Sequence, residues 1–363
     1  MSVFYTMLLF ISAIVFASKS ENIFNSQYVI KSLSVMIIVL YIIAVSNPTI
    51  EGTDILNYWG NGIYYSQNGL WSSLKENFPE IGLIPLQVIA AKLNSIIILK
   101  FTAACLAILP LYYGVTKFFD KQTSLFILLF YFSCFFFTNG TINIIKQGVA
   151  VSFLLGGMLI CLSKEKKQGL TMMLVAGLFH TTAFLFVLIT ILVMYNKLNF
   201  KVIIPVYIVS MLLFLTRWNA TILRTIVSTN FISYESYVTD QRISKYGAAN
   251  RIDFFIFTTF FVILAAVIYR LMKNNKMRSN FGYLFKIQLM FVSVFYCLGF
   301  IAYSDRIAYY NWMLIPLIIG ALFQFAIAQR WIYGAGLIIF SISGFVLNMG
   351  LTGILREYPI LFF

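Results

Sequence analysis

FFIFTTFFVILAAVIYRLMKNNKMR, residues 254–278, decides the fold. Its first part, Phe254 to Leu271, is a continuous apolar run. Such a run comes close to the about 20 residues that a helix needs to cross about 30 Å of hydrocarbon. Its second part gathers Arg270, Lys273, Lys276 and Arg278, with Lys286 just beyond and no acid among them. Bases crowded at the end of an apolar run mark the cytoplasmic flank of a transmembrane helix.

Runs of the same kind recur along the whole chain: Ser2–Ala17, Tyr28–Ser46, Ile96–Val115, Thr123–Thr138, Lys146–Leu162, Gly169–Met194, Val202–Leu215, Phe281–Ala302, Ala308–Ala328 and Trp331–Thr352. Ile81–Leu93 is too short to cross and is expected to lie at the interface or re-enter. Gly169–Met194 is long for one helix and short for two, so it is expected to go in and come back with His180 near its far face. Across the 363 residues, 61% are hydrophobic and 10% charged, with mean hydropathy +0.89. A soluble domain would carry about 25% charged residues. Alternating ten-residue amphipathic strands are missing from the sequence, which argues against an outer-membrane barrel. The expected fold is all-α: one polytopic membrane domain over residues 1–363, about 12 transmembrane helices, and short re-entrant or interfacial helices.

The net charge of +14 sits largely in short loops between spans, where lysine and arginine set orientation, and does not point to nucleic acid. Cys105, Cys134, Cys161 and Cys297 all fall in apolar runs and read as small buried hydrophobes. One histidine cannot build a multi-histidine zinc site, and no metal or cofactor is expected. Counting spans from the basic 270–286 segment puts the clusters at 117–121, 164–167 and 197–201 on the cytoplasmic side as well. Two large loops, 47–80 and 216–253, then share the periplasmic face with Lys146, His180 and Asp305-Arg306.

The 47–80 stretch holds four of the 12 acids, Glu51, Asp54, Glu76 and Glu80, and the aromatics Tyr58, Trp59, Tyr64, Tyr65 and Trp71. Carboxylates beside amphipathic rings suit a sugar, although the rings alone would equally form an interfacial belt. Opposite it, 216–253 carries Arg217, Arg224, Arg242, Lys245 and Arg251. Guanidinium groups donate paired hydrogen bonds to phosphate oxygens. Asp54, His180 or Glu80 could take a proton from a hydroxyl. Arg306, Lys146, Arg242, Lys245 and Arg251 are the candidates for holding a diphosphate. Each has a plainer reading: His180 bonded to a nearby carbonyl, Lys146 snorkelling, Asp305-Arg306 closing a turn. Asn139-Gly140-Thr141 and Asn219-Ala220-Thr221 fit the glycosylation pattern, which is common by chance.

Gly52-Thr53-Asp54, Tyr58 and Glu80-Ile81-Gly82 resemble the opening of the EpsG-like group of Wzy-type polysaccharide polymerases. Ile145-Lys146-Gln147-Gly148-Val149-Ala150, Phe179-His180, and Asp305-Arg306-Ile307 with Tyr309-Tyr310 follow in the same order, over about residues 45–320. Lysine at 146 stands where such enzymes usually have arginine. The resemblance implies a multi-pass enzyme of the bacterial inner membrane with its site facing the periplasm. It would join repeat units carried on undecaprenyl diphosphate into O-antigen or exopolysaccharide, without a metal. Expected partners are the lipid-linked glycans, the bilayer, a chain-length regulator and a flippase. The residues also suit another lipid-carrier glycosyltransferase, such as an O-antigen ligase, or a flippase that does no chemistry.

Overall fold

The computed structural model describes residues 27–46, 53–195, 197–222, 249–272 and 275–326. Among these the secondary structure is helical, with no strand. Two compact units divide the chain: unit 1 is Met1–Leu185 with Ile319–Phe363, and unit 2 is Phe186–Ile318.

In unit 1, α1 (Gln27–Val45) precedes α2 (Thr53–Asn68) and α3 (Leu70–Glu76). The 47–80 stretch is therefore not an open loop: from Thr53 onward most of it is helix. The reason is in its spacing. Ile55, Gly62 and Tyr65 are buried, with Tyr58 and Trp59 half-buried between them, which is one face of a helix. That face packs on α4 (Ile84–Lys92), the short element expected near 81–93. Gly62 allows the approach, since a Cβ there would lie 2.8 Å from the Gln87 carbonyl oxygen.

The centre of unit 1 is α8 (Ile145–Leu162), flanked by α5 (Ile96–Phe118) and α9 (Lys166–Phe179). Apolar surface gains little from leaving lipid, so membrane helices associate by close packing at small residues. Gly114 and Pro110 of α5 meet Gly156 backbone to backbone, and Gly169 of α9 meets Gly157. Phe179 of α9 stacks on Phe153 of α8 at 5.5 Å between centroids. Pairing 157 with 169 and 153 with 179 makes α8 and α9 antiparallel. At one end of this pair, Lys117 binds Glu165 at 2.8 Å, joining two of the basic clusters expected on one face. Lys146 and His180 lie at the other end.

Between α5 and α8 run α6 (Lys121–Ser133) and α7 (Phe135–Ile142), bent by 72° at Cys134. Asp120 caps α6, its carboxylate accepting from the Thr123 N–H at 2.9 Å. The expected single span 123–138 is thus a broken one. Gly148, near the start of α8, abuts the Gly140 carbonyl of α7. Gly169–Met194 is likewise two short helices, α9 and α10 (Ala183–Met194), broken at His180-Thr181-Thr182.

Unit 2 takes in most of α10, then α11 (Phe200–Leu215), α12 (Ile252–Leu271), α13 (Asn275–Leu298) and α14 (Ser304–Trp312), and ends within α15 (Ile315–Ala326). Phe214 anchors an aromatic cluster with Phe255, Phe295 and Tyr296 at 5.3–5.7 Å. Trp312 donates to Thr258 Oγ1 at 3.0 Å, tying α14 to α12.

Among the described residues, six helical stretches are long and apolar enough to cross a membrane, or seven if the bent α6–α7 pair is one span. The twelve expected crossings are not reached there. Two of the expected runs, 2–17 and 331–352, lie outside the described residues, and 169–194 and 202–215 form helices shorter than a full span. The four cysteines are free thiols; Cys134 and Cys161 are buried and Cys105 and Cys297 half-buried.

Candidate functional site

Three separated stretches of unit 1 meet at one carboxylate. Glu80 sits between α3 and α4, in a turn closed by its own N–H donating to the Asn77 carbonyl at 2.8 Å. Two residues on, Gly82 N–H donates to the Leu178 carbonyl at 2.8 Å, lashing this turn to the end of α9. Glycine is required there, because a Cβ would lie 2.8 Å from the Phe179 ring. The Glu80-Ile81-Gly82 and Phe179-His180 motifs are therefore packed against each other.

His180 ends α9 in an extended conformation (φ −150°, ψ 122°), so the chain breaks there and exposes the amides that follow. Glu80 Oε1 accepts from the Thr181 N–H and the Thr181 hydroxyl, both at 2.9 Å. The same oxygen lies 3.3 Å from His180 Nδ1. Glu80 Oε2 accepts from Lys146 Nζ at 3.4 Å. The three side chains are 17–26% exposed, sheltered yet reachable.

Lys146 is in the first turn of α8, where the helix dipole disfavours a cation. Glu80 offsets that placement, and the Tyr58 ring lies 5.9 Å from Nζ. Burial by itself would raise the Glu80 carboxyl. The hydrogen bond and charge of His180, the Thr181 amide and the Lys146 charge outweigh it and hold the carboxyl well below the usual carboxylate range. Glu80 is thus a firmly ionised hub of the cluster.

Asp54 lies in the first turn of α2, where its charge suits the helix dipole. Its N–H donates to Asn143 Oδ1 at 3.1 Å, three residues before Lys146. Of the candidate sugar-binding rings, Trp71 and Tyr64 are exposed, at 78% and 51%, and Tyr58 and Trp59 are half-buried. Tyr65 is buried against Ile84 and Val88, with its hydroxyl donating to Asn77 at 3.0 Å. Thr181, Thr182 and Asn143 went unnoticed in the sequence. The polar pair directly after His180 was the signal for the first two.

Unit 2 carries the candidate arginines Arg251 and Arg306. Arg251 pairs with the Asp253 carboxylate and lies 3.9 Å from the Phe254 ring. Arg306 lies 4.5 Å from the Tyr303 ring. Tyr303 is left-handed (φ 60°, ψ 35°), a strained conformation for a bulky residue. Asn219 is fully buried and exchanges two side-chain hydrogen bonds with Asn250, at 3.0 and 2.8 Å, so it is structural rather than a glycosylation acceptor. Arg242 and Lys245 lie outside the described residues. Among the described residues, no group of three or more His, Cys, Asp or Glu could hold a metal ion.

The EpsG family model matches residues 32–354, which include every element around Glu80. The chain belongs to the EpsG family. Comparison with curated proteins gave no match, and no solved structure matches it. Membership of the EpsG family makes it a polysaccharide-polymerase-like membrane protein. Within that family frame, Lys146 and His180 are joined through the carboxylate of the Glu-Ile-Gly motif.

Proposed function

We propose that this EpsG-family chain is a membrane glycosyltransferase that polymerises oligosaccharide repeat units carried on undecaprenyl diphosphate. The donor is the growing chain. Its anomeric carbon is attacked by a hydroxyl of the incoming lipid-linked unit, and the lipid diphosphate leaves. The observation that carries this reading is the Glu80 hub, which brings a cation and an imidazole together from distant parts of the sequence. A cation and a proton acceptor are what glycosyl transfer to a hydroxyl needs without a metal. Lys146 steadies a phosphate or orients the acceptor, and His180 or Asp54 takes the hydroxyl proton. Arg306 and Arg251, and Arg242 and Lys245 beyond the described residues, are the proposed diphosphate ligands. Tyr58, Trp59, Tyr64 and Trp71 are the proposed sugar contacts, and Tyr65 supports them from the core. The proposed setting is the bacterial inner membrane with the site at the periplasmic face, beside a flippase and a chain-length regulator.

A deletion strain read on a polysaccharide gel tests the reading. For an O-antigen product, loss of a polymerase leaves core bearing a single repeat unit. Bare core would overturn the proposal in favour of a ligase or flippase.

A further inference from the structure

His180 and Glu80 were each candidates for the proton acceptor, and their geometry separates them. Glu80 Oε1 already faces the Thr181 N–H, the Thr181 hydroxyl and His180 Nδ1, and Oε2 faces the Lys146 ammonium. A carboxylate so occupied has little left to offer a substrate hydroxyl. Among the described residues, the polar contacts of the His180 ring fall on Nδ1: Glu80 at 3.3 Å and the Thr182 hydroxyl at 3.2 Å. Among the described residues, Nε2 has no hydrogen-bond partner, and the side chain is 21% exposed.

We propose that Glu80 is a positioning residue that fixes His180 as the Nδ1–H tautomer, leaving Nε2 to take the proton of the attacking sugar hydroxyl. A neutral imidazole carries one N–H, and the hydrogen bond at one nitrogen decides what the other can do. An ionised carboxylate cannot donate, so its neighbour Nδ1 must carry the proton. In the transfer step the acceptor O–H proton passes to Nε2 and the oxygen forms the new bond to the anomeric carbon. The bond from that carbon to the diphosphate breaks with its electron pair on the leaving oxygen. The imidazolium formed is balanced by Glu80 and afterwards releases its proton to water. In that tautomer the Thr182 hydroxyl oxygen, 3.2 Å from Nδ1, is a second acceptor for the same N–H. The chemical step rests on the polymerase reading; the tautomer rests on geometry alone.

The chain's single histidine makes the test direct. Purified full-length protein in nanodiscs, labelled with 15N-histidine and carrying a tag without histidine, gives ring signals from His180 only. At roughly pH 9, above the ordinary imidazole range, the protonated nitrogen is expected to be Nδ1, identified by its coupling to Hε1 alone. Glu80→Met, which removes the acceptor, is expected to shift the ring toward the Nε2–H form and abolish polymer as completely as His180→Ala. Glu80→Gln keeps an acceptor oxygen and is expected to retain the tautomer and part of the activity. An Nε2–H ring in the wild type overturns the proposal, as does loss of activity in Glu80→Met with the tautomer unchanged. Should Glu80→Met fail to fold, the wild-type and Glu80→Gln spectra decide. If the wild type polymerises nothing yet shows the Nδ1–H ring, the polymerase reading fails while the positioning stands.

Discussion

Glu80 in unit 1 and the arginines Arg251 and Arg306 in unit 2 are held in different ways. In unit 1, Glu80 reaches partners 66 and 101 positions away, at Lys146 and Thr181. In unit 2, Arg251 binds a carboxylate two residues on, and Arg306 rests on a ring three residues back. Local pairs of this kind form wherever the chain turns suitably, and exposed ones contribute little to stability. A long-range pair exists only if the fold is right, and its ordering cost is met by the surrounding packing. The difference marks unit 1 as holding a built constellation. The exposed Arg251–Asp253 pair of unit 2 is a contact that a ligand could replace.

The strongest way to break this contrast is His180→Ala. It should lower polymer formation by about 10²–10⁴-fold, measured as repeat-unit ladders from lipid-linked substrate. A variant retaining a third of the rate would remove His180 from the chemistry. Lys146→Met should cost on the order of 10²-fold. Lys146→Arg keeps the charge and should stay within about tenfold of wild type. Equal damage from both would mean that packing, not charge, matters at 146.

Smaller effects sharpen the comparison through stability. Gly82→Ala drives a methyl into the Phe179 ring and should destabilise by about 1–3 kcal/mol, read by thermal unfolding in detergent. Acid titration gives a signed test. Glu80 is depressed in the folded state, whereas an unfolded glutamate titrates at about 4.3. Its stabilisation is therefore complete above that value and is lost as pH falls toward the folded one. The stability gap between wild type and Glu80→Gln should be widest above about pH 5 and close toward about pH 2. Least of all, Asp253→Asn should change stability by less than about 1 kcal/mol, because the Arg251 pair is exposed.

Much of this was legible in sequence. Apolar length gave the helical membrane class, and the break around His180 followed from a run too long for one helix and too short for two. A lysine opening an apolar run was visible in sequence, and the structure places it 3.4 Å from Glu80. Less visible was the helical character of 53–76: sparse apolar residues and two mid-helix glycines hide a face on which Gly62 lets α2 approach α4. Tyr65 looked like its neighbours in composition, and only tertiary packing separates it from Tyr64 and Trp71. The bend at Cys134 has no proline to announce it. Glu80's tie to Lys146 and His180 could not be read from spacing, because antiparallel packing of α8 and α9 creates it.

The glycine contacts of α8 carry a mechanical consequence. Where backbone meets backbone, no side chain can rotate to absorb a displacement, so the helix is keyed at Gly148, Gly156 and Gly157 like a shaft in three bearings. Lys146 rides on the tip of that shaft. Sliding by one turn, about 5.4 Å, would lift its ammonium clear of Glu80. The ion pair therefore works as a gauge of seating: engaged when the helix is home, absent when it is not.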